Sequence, residues 1–423
     1  MSTPTQGAGV SSECVAPVKW HFLLLAALVV VVFGRAVTYP YNNWDETVFI
    51  AQNPLVAPGN WHGLHQLWKP GAVDQEVLYV PVTYASFWVD MALGGGRAWL
   101  LHITNLVLHL LNIWLLLRFC SRTGLNRTIG FVAGLIFAIH PIQTETVVWL
   151  MGRKDLLSGT FALLFAHVAW VWLKTRKPWL VVALTLFLTL GLLAKPSLVL
   201  LPVVLLAARI WVGTDRETRT RDCLFLIPMF AIAGIILYYS TRPDPRFPSV
   251  ITSAGDGFWQ LCYLVKDWTG RMLLLQSTVP FYGRPGPPDI LNMLLVATAI
   301  AFWFIMLFMM WKRRFYVGLF ILFAFVLLAA PAAGVVLGTR TFLTGDRYLY
   351  VPGIALVLLL GMAWEQLKTH FPVTQKAQAG ITLVTIAAMV GLSARASLHW
   401  QNSEAIWART LAVYPDTAVA HNN

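Results

Sequence analysis

Apolar residues run in blocks of about twenty along most of this chain, separated by short polar stretches. A block of about that length with few charges is what a helix needs to cross a bilayer. Eleven such blocks are legible, at roughly 18–37, 98–119, 127–147, 156–174, 178–194, 196–212, 223–241, 289–311, 315–337, 347–365 and 378–397. The fifth and sixth are parted only by Lys195-Pro196, and the residue before a proline is pushed out of the helical region, so a tight hairpin fits there. The first block is too long for a signal-peptide core and no small-residue cleavage site follows it, so it reads as a retained span. Residues 1–17 are small and polar and read as a disordered cytoplasmic tail. The expected fold class is an all-α polytopic membrane protein. Its helical domain fills 18–397, with a first outer loop at 38–97 and a second long one at 242–288.

Composition agrees. The chain is 57% hydrophobic and only 12% charged, where a soluble domain carries about 25% charge. Nineteen tryptophans suit the aromatic belts of the two interfaces. The net charge is +12, but the basic clusters fall between spans, so membrane topology explains them better than a nucleic-acid partner. Arg118, Arg122 and Arg127 lie in one short linker, and Lys174, Arg176 and Lys177 in the next. Arg216, Arg219 and Arg221 form a third, and Lys312, Arg313 and Arg314 a fourth. With eleven spans all four fall on one side, which the positive-inside rule makes cytoplasmic. The N-terminus is then cytoplasmic and the C-terminus outside. Loop 38–97, turn 140–155, loop 242–288 and turn 338–346 share the outer face. The four cysteines show neither pairing nor metal-ligand spacing.

The polar constellations of the chain converge on that outer face. The first loop opens with the adjacent acids Asp45 and Glu46. A carboxylate held where a membrane helix meets water can act as a general base, because partial desolvation raises its proton affinity; a solvated loop is the plain alternative. His62 and His65, three apart, are a candidate metal pair with no third ligand nearby in sequence. In the second span His102, Asn105, His109 and Asn112 share one helical face; interhelical hydrogen bonding explains Asn112 and His109, while His102, near the outer end, stays open. Glu145, Arg153, Lys154 and Asp155 crowd one short turn. Lys195 either snorkels to the interface or holds a phosphate. Lys266, Arg271 and Arg284 follow in the second loop, and Asp346 and Arg347 stand at the mouth of the tenth span, where an ion pair is the alternative. A carboxylate base and cations that hold a phosphate are what glycosyl transfer from a phosphate-linked donor needs.

The motifs NNWDETVFIAQNPLV, YVPVTYASFWVDMALGGGRAWLLHITNLVLHLLN, FAIHPIQTETVVWLMGRKDLLS, GLLAKPSLVLLPVVLL, GDRYLYVPGIAL and HWQNSEAIWARTLAVYPDTAVAHNN occur in the order seen in bacterial tetratricopeptide-repeat membrane proteins. Those resemble the eukaryotic transmembrane-and-tetratricopeptide O-mannosyltransferases, and both look like members of the GT-C glycosyltransferase superfamily. The resemblance covers about residues 38–423. It implies a GT-C-like bundle of about eleven transmembrane helices with a juxtamembrane first outer loop. The implied activity is inverting transfer of a sugar from a polyprenyl-phosphate-linked donor to an acceptor hydroxyl, on protein or else on a lipid or glycan. The implied setting is the outer face of a bacterial inner membrane. By the resemblance Asp45 matches the catalytic acid and Glu46 its neighbour. Glu145, Arg153 and Asp155 match the second cluster, Lys195 the lysine before the proline, and Asp346 and Arg347 the late motif. Lys154, His102 and Arg271 join the candidates for donor phosphate or substrate binding. Some relatives use a divalent cation and others do not, so metal dependence is open. Residues 398–423 read as the start of a helical-repeat segment that is cut short. A transporter or lipid-linked sugar flippase is the competing class; it predicts charges and broken helices at mid-membrane and internal repeats, whereas the charges here sit at the outer mouths and no repeat is evident. A non-catalytic anchor for repeats is the third.

Overall fold

The computed structural model describes residues 17–73, 78–212, 216–240, 253–276, 278–283, 288–338, 342–370 and 374–422. Arg284 and the expected tail at 1–16 lie outside that set. Helix α1 is Pro17–Phe33, followed by the short α2 Trp61–Gln66 and by α3 Pro81–Gly94. Next come α4 Ala98–Thr123, α5 Arg127–Ile139, α6 Thr144–Val148, α7 Arg153–Thr175 and α8 Trp179–Ala194. After these lie α9 Leu201–Trp211, α10 Arg216–Leu224, α11 Ile227–Ser240 and α12 Ala254–Leu273. The chain continues with α13 Ile290–Lys312, α14 Tyr316–Gly338, α15 Tyr350–His370, α16 Gln375–Leu398, α17 Ser403–Val413 and α18 Ala418–His421. Strands β1 Tyr282–Gly283 and β2 Phe342–Thr344 pair antiparallel, Tyr282 opposite Thr344.

Each of the eleven expected blocks contains a helix, but they are not eleven equivalent spans. Among the described residues eight helices are long and apolar enough to cross a membrane. A ninth candidate is the pair Arg127–Ile139 and Pro141–Val148, bent by 52°. The hairpin expected at Lys195-Pro196 yields the two shorter apolar helices Trp179–Ala194 and Pro196–Trp211. The 52° bend has a local cause. Pro141 cannot continue α5, and the His140 imidazole Nδ1 accepts the backbone N–H of Ile142 at 3.2 Å in place of a helical carbonyl,. The turn expected at 140–155 is no surface loop: every residue from 137 to 153 is buried. The first outer loop is not wholly polar either, since it contains α3 with Thr83, Tyr84, Phe87, Trp88 and Asp90 buried. His62 and His65 are exposed on α2, His62 bonded to Gln66 at 3.1 Å.

The polar face of α4 is interior, as its spacing predicts. The Asn112 amide donates to the Tyr350 hydroxyl at 3.0 Å and to the Leu156 carbonyl at 2.9 Å. His109 bonds the same hydroxyl at 2.9 Å and the Ala138 carbonyl at 3.1 Å. One tyrosine thus joins α4 to α15, and the same asparagine joins α4 to α7. Buried polar groups in a membrane bundle need such partners. Close approach is possible because Gly159 lacks a Cβ, which would stand 2.8 Å from the Tyr350 ring. The basic linkers gather at the opposite end of the bundle, where Asn126 donates to Glu365 at 2.9 Å and Arg209 pairs with Asp222 at 2.8 Å.

Candidate active site

The site is built where four chain segments meet: the loop after α1, the α6–α7 junction, the Lys195-Pro196 break and the turn before α15. The first of these is fastened by its own polar residues. Asn42 Oδ1 accepts the Trp44 N–H at 3.0 Å, and Thr47 donates to the Asn42 carbonyl at 2.9 Å. The next residue, Asp45, is left-handed with φ 65°, a conformation that Asp and Asn tolerate better than most residues. Asp45 is half-buried and Glu46 buried. Glu46 accepts the backbone N–H of Asn42 at 3.0 Å with one oxygen and that of Leu150 at 2.8 Å with the other. It ties the loop to the α6–α7 junction. Burial pushes its pKa up to about 8; the two backbone donors work against that rise and the charge of Asp45 adds to it,.

Trp44 completes the fastening. Its ring stacks on Trp149 at 5.2 Å and on Trp400 at 5.6 Å, with Trp407 at 6.0 Å and Phe281 at 6.3 Å. The segment expected to begin a helical repeat, 398–423, therefore packs back onto the first loop. Ser403 accepts the Asn43 N–H at 2.9 Å, and the Trp407 indole donates to Asn43 at 2.8 Å.

Two ion pairs lie beside this platform. Glu145, in the first turn of α6, takes the Arg347 guanidinium on one oxygen and the Arg347 backbone N–H, at 3.0 Å, on the other. The Arg347 guanidinium is 5.0 Å from the Trp149 ring, 4.8 Å from Tyr348 and 6.0 Å from Trp44. Gly345 makes room for it, since a Cβ there would stand 2.6 Å from Arg347 Nη1 and 3.1 Å from Glu145 Oε1. Asp155, in the first turn of α7, pairs with Lys195, whose ammonium is 5.0 Å from the Tyr348 ring. Tyr348 thus has two cations within about 5 Å of its ring. Arg347 and Lys195 keep 13% and 9% of their side-chain surface exposed, whereas Glu145 keeps 1% and Asp155 4%.

A deeper layer supports these pairs. Arg271, on α12 and not in a loop, is clamped between Asp267 and Asp346 and lies 4.2 Å from the Tyr282 ring. The Tyr282 hydroxyl contacts both Asp346 oxygens at 3.0 Å. Burial works against the Arg271 charge, but Asp267, Tyr282 and Asp346 outweigh it and hold its pKa well above the ordinary value. Burial and then Asp346 push the Tyr282 phenol well up. Arg153 is turned away from Glu145. It is fully buried, 2.7 Å from Asp90, and donates to Asn105 and to the Leu101 carbonyl at 2.8 Å. His102 is buried edge-on to Tyr39, ring centroids 6.3 Å apart. Lys154 is half-buried at the start of α7.

The expected site residues therefore fall into groups. Glu145, Asp155, Lys195 and Arg347 meet around Tyr348. Asp346 and Arg271 brace the turn that presents Arg347. Asp45 and Glu46 are held against the same surface through Trp44 and Leu150. Arg153 and His102 face the α3–α4 side. Sequence reasoning passed over Asp90, a lone acid in an apolar helix and so a signal in itself, and Tyr348 and Tyr282, which nothing in the pattern sets apart from interfacial tyrosines. Among the described residues no group of three or more His, Cys, Asp or Glu is placed to hold a metal ion.

No protein-family model matches the chain. A protein O-mannosyl-transferase of Mus musculus, TMTC1, is 32% identical over 148 residues, covering 33% of this chain and 16% of that protein. A second from the same organism, TMTC2, is 38% identical over 86 residues, 20% of this chain and 10% of that protein. A protein O-mannosyl-transferase of Caenorhabditis elegans is 22% identical over 358 residues, 82% of this chain and 50% of that protein. The chain spans half or less of the length of each of these relatives. An oligosaccharyltransferase of Archaeoglobus fulgidus superposes with a TM-score of 0.47 at 13% identity, over 95% of this chain and 58% of that one, a likeness too loose to argue from. In its sequence this chain is similar to the eukaryotic protein O-mannosyl-transferases, the family that its motifs resemble.

Proposed function

We propose that this chain is the membrane-embedded part of an inverting GT-C-type glycosyltransferase. It moves a sugar from a polyprenyl-phosphate-linked donor to a hydroxyl of an acceptor protein, at the extracytoplasmic face of a bacterial plasma membrane. The observation that carries the reading is that Arg347 lies 6.0 Å from the ring of Trp44, the residue before Asp45, and that Arg347 and Lys195 both approach the Tyr348 ring, at 4.8 and 5.0 Å. Similarity to proteins named O-mannosyl-transferases supports the reaction class and makes mannose the first sugar to try. The basic linkers at the far end of the bundle support the face.

In the reaction Asp45 takes the proton of the acceptor hydroxyl, and the oxygen attacks the anomeric carbon from the side opposite the phosphate. The bond from that carbon to the phosphate oxygen breaks and its electron pair leaves with the phosphate. Arg347 and Lys195 stabilise the charge that gathers there. The carbon passes through an oxocarbenium-like state, and no covalent enzyme intermediate is needed. Glu46 and the Arg271–Asp346–Tyr282 cluster position the groups that touch substrate.

The test is turnover of radiolabelled polyprenyl-phosphate mannose by the purified protein and its Asp45→Asn variant. Loss of a general base lowers turnover by about 100- to 10,000-fold, with the circular-dichroism spectrum unchanged. Undiminished turnover in the variant removes Asp45 as the base.

A further inference from the structure

At the end of the bundle away from Asp45, three arginines converge on one buried carboxylate. Asp222, on α10, is 2.8 Å from Arg209 Nε on α9 and 3.5 Å from Arg176 Nη1 at the end of α7. Arg221 Nε stands 3.7 Å from its other oxygen. Arg209 is fully buried and Arg221 is largely exposed. Among the described residues the cluster holds three positive charges against one negative charge. Its hydrogen bonding is as lopsided as its charge. Among the described residues Arg209 uses only its Nε; Nη1 and Nη2, both buried, have no hydrogen-bond partner there, and neither does the buried Trp172 indole N–H, whose ring lies 5.4 Å from the Arg176 guanidinium. The two Nη atoms alone carry four N–H groups. A single water offers two lone pairs and cannot satisfy them. One tetrahedral oxyanion offers several oxygens and a compensating charge.

We propose that Arg176, Arg209 and Arg221 form a phosphate-oxyanion site at the face opposite the proposed reaction. α7 has 23 residues, so at about 1.5 Å per residue its two ends stand roughly 35 Å apart. That places the cluster at the far interface of the same bilayer, where headgroup phosphates lie and where basic pockets between helices recognise anionic lipids. The chemistry is shared by a lipid phosphate and by free inorganic phosphate. Asp222 orders the site by fixing the Arg209 fork through Nε, which leaves both Nη atoms to the ligand. The site is independent of the reaction proposed above and stands or falls without it.

The protein is reconstituted in nanodiscs of phosphatidylcholine alone or with phosphatidylglycerol, and in a third arm inorganic phosphate is titrated against matched chloride. Bound lipid is read by native mass spectrometry and stability by thermal melting. Retention of phosphatidylglycerol over phosphatidylcholine is expected to fall by about fivefold for each arginine removed. Arg176→Gln is the first variant. Arg209→Gln strands Asp222 and can fail to fold, so Arg209 is tested as Arg209→Gln/Asp222→Asn. Stabilisation by phosphatidylglycerol alone assigns a headgroup, and stabilisation by inorganic phosphate as well assigns the bare oxyanion. Equal retention of both lipids with no effect of phosphate, or a lipid preference that survives both variants, overturns the site and leaves buried water in its place.

Discussion

Replacing Arg347 by methionine tests how the exposed pair is held. Glu145 keeps only 1% of its side-chain surface in contact with solvent and loses its guanidinium partner in Arg347→Met. Removing one member of a buried pair costs about 3–5 kcal/mol, because the remaining charge is stranded. Two features place this case at the lower end. The Arg347 backbone N–H, 3.0 Å from Glu145, survives the substitution, and the arginine side chain is 13% exposed. The expected loss is about 3 kcal/mol. Glu145→Leu leaves Arg347 able to find water and costs less, about 2 kcal/mol. The double variant places two apolar groups together and is expected to recover part of the sum, a coupling of about 1.5–3 kcal/mol. Unfolding in mixed micelles, followed by far-ultraviolet circular dichroism, measures all four species. If the two single costs add to within about 0.5 kcal/mol, Glu145 and Arg347 are not a coupled unit and do not form one site at Tyr348.

Three other outcomes follow from the same geometry. Gly345→Ala sets a Cβ 2.6 Å from Arg347 Nη1; the guanidinium must move, and transfer activity is expected to drop while the melting temperature changes little. Tyr350→Phe removes the hydroxyl shared by His109 and Asn112 and is expected to cost about 1–3 kcal/mol in the same unfolding assay. Glu46 is held near pKa 8, above its unfolded value, so the folded state binds the extra proton between the two. Stability is then greatest at low pH and falls as pH rises from about 4.5 towards 8; Glu46→Gln is expected to flatten that part of the stability–pH curve.

Much of the helical architecture was legible because an apolar block of about twenty residues has few other ways to be satisfied. The end of the bundle at which Glu145, Asp155, Lys195 and Arg347 gather was legible too, since each sits where such a block stops. The bend at Pro141 was not, because length and hydropathy are the same for a straight span and for a broken one; only the Ile142–His140 bond shows how the break is satisfied. The role of the last segment was hidden for a different reason. HWQNSEAIW reads as the start of a repeat, but its packing against Trp44 depends on residues more than 350 positions away in the chain.

Partner choice was the least legible property, and rotation explains why. Residues two apart on a helix differ by about 200° in direction. Arg153 and Asp155 are such a pair: one turns inward to Asp90 and Asn105, the other to Lys195. In the tight turn before α15, Asp346 goes to Arg271 and Tyr282 while Arg347 goes to Glu145, so the ion pair that adjacency offers between Asp346 and Arg347 gives way to two others. The charges thereby sort into two depths. Arg153–Asp90 and Arg271–Asp346 have their guanidinium groups at 0% and 2% exposure and act as internal struts. Arg347 and Lys195 are the more open pair, and both face Tyr348. The proposed phosphate-binding role of Arg347 and Lys195 therefore rests on their exposure relative to Arg153 and Arg271, not on charge count.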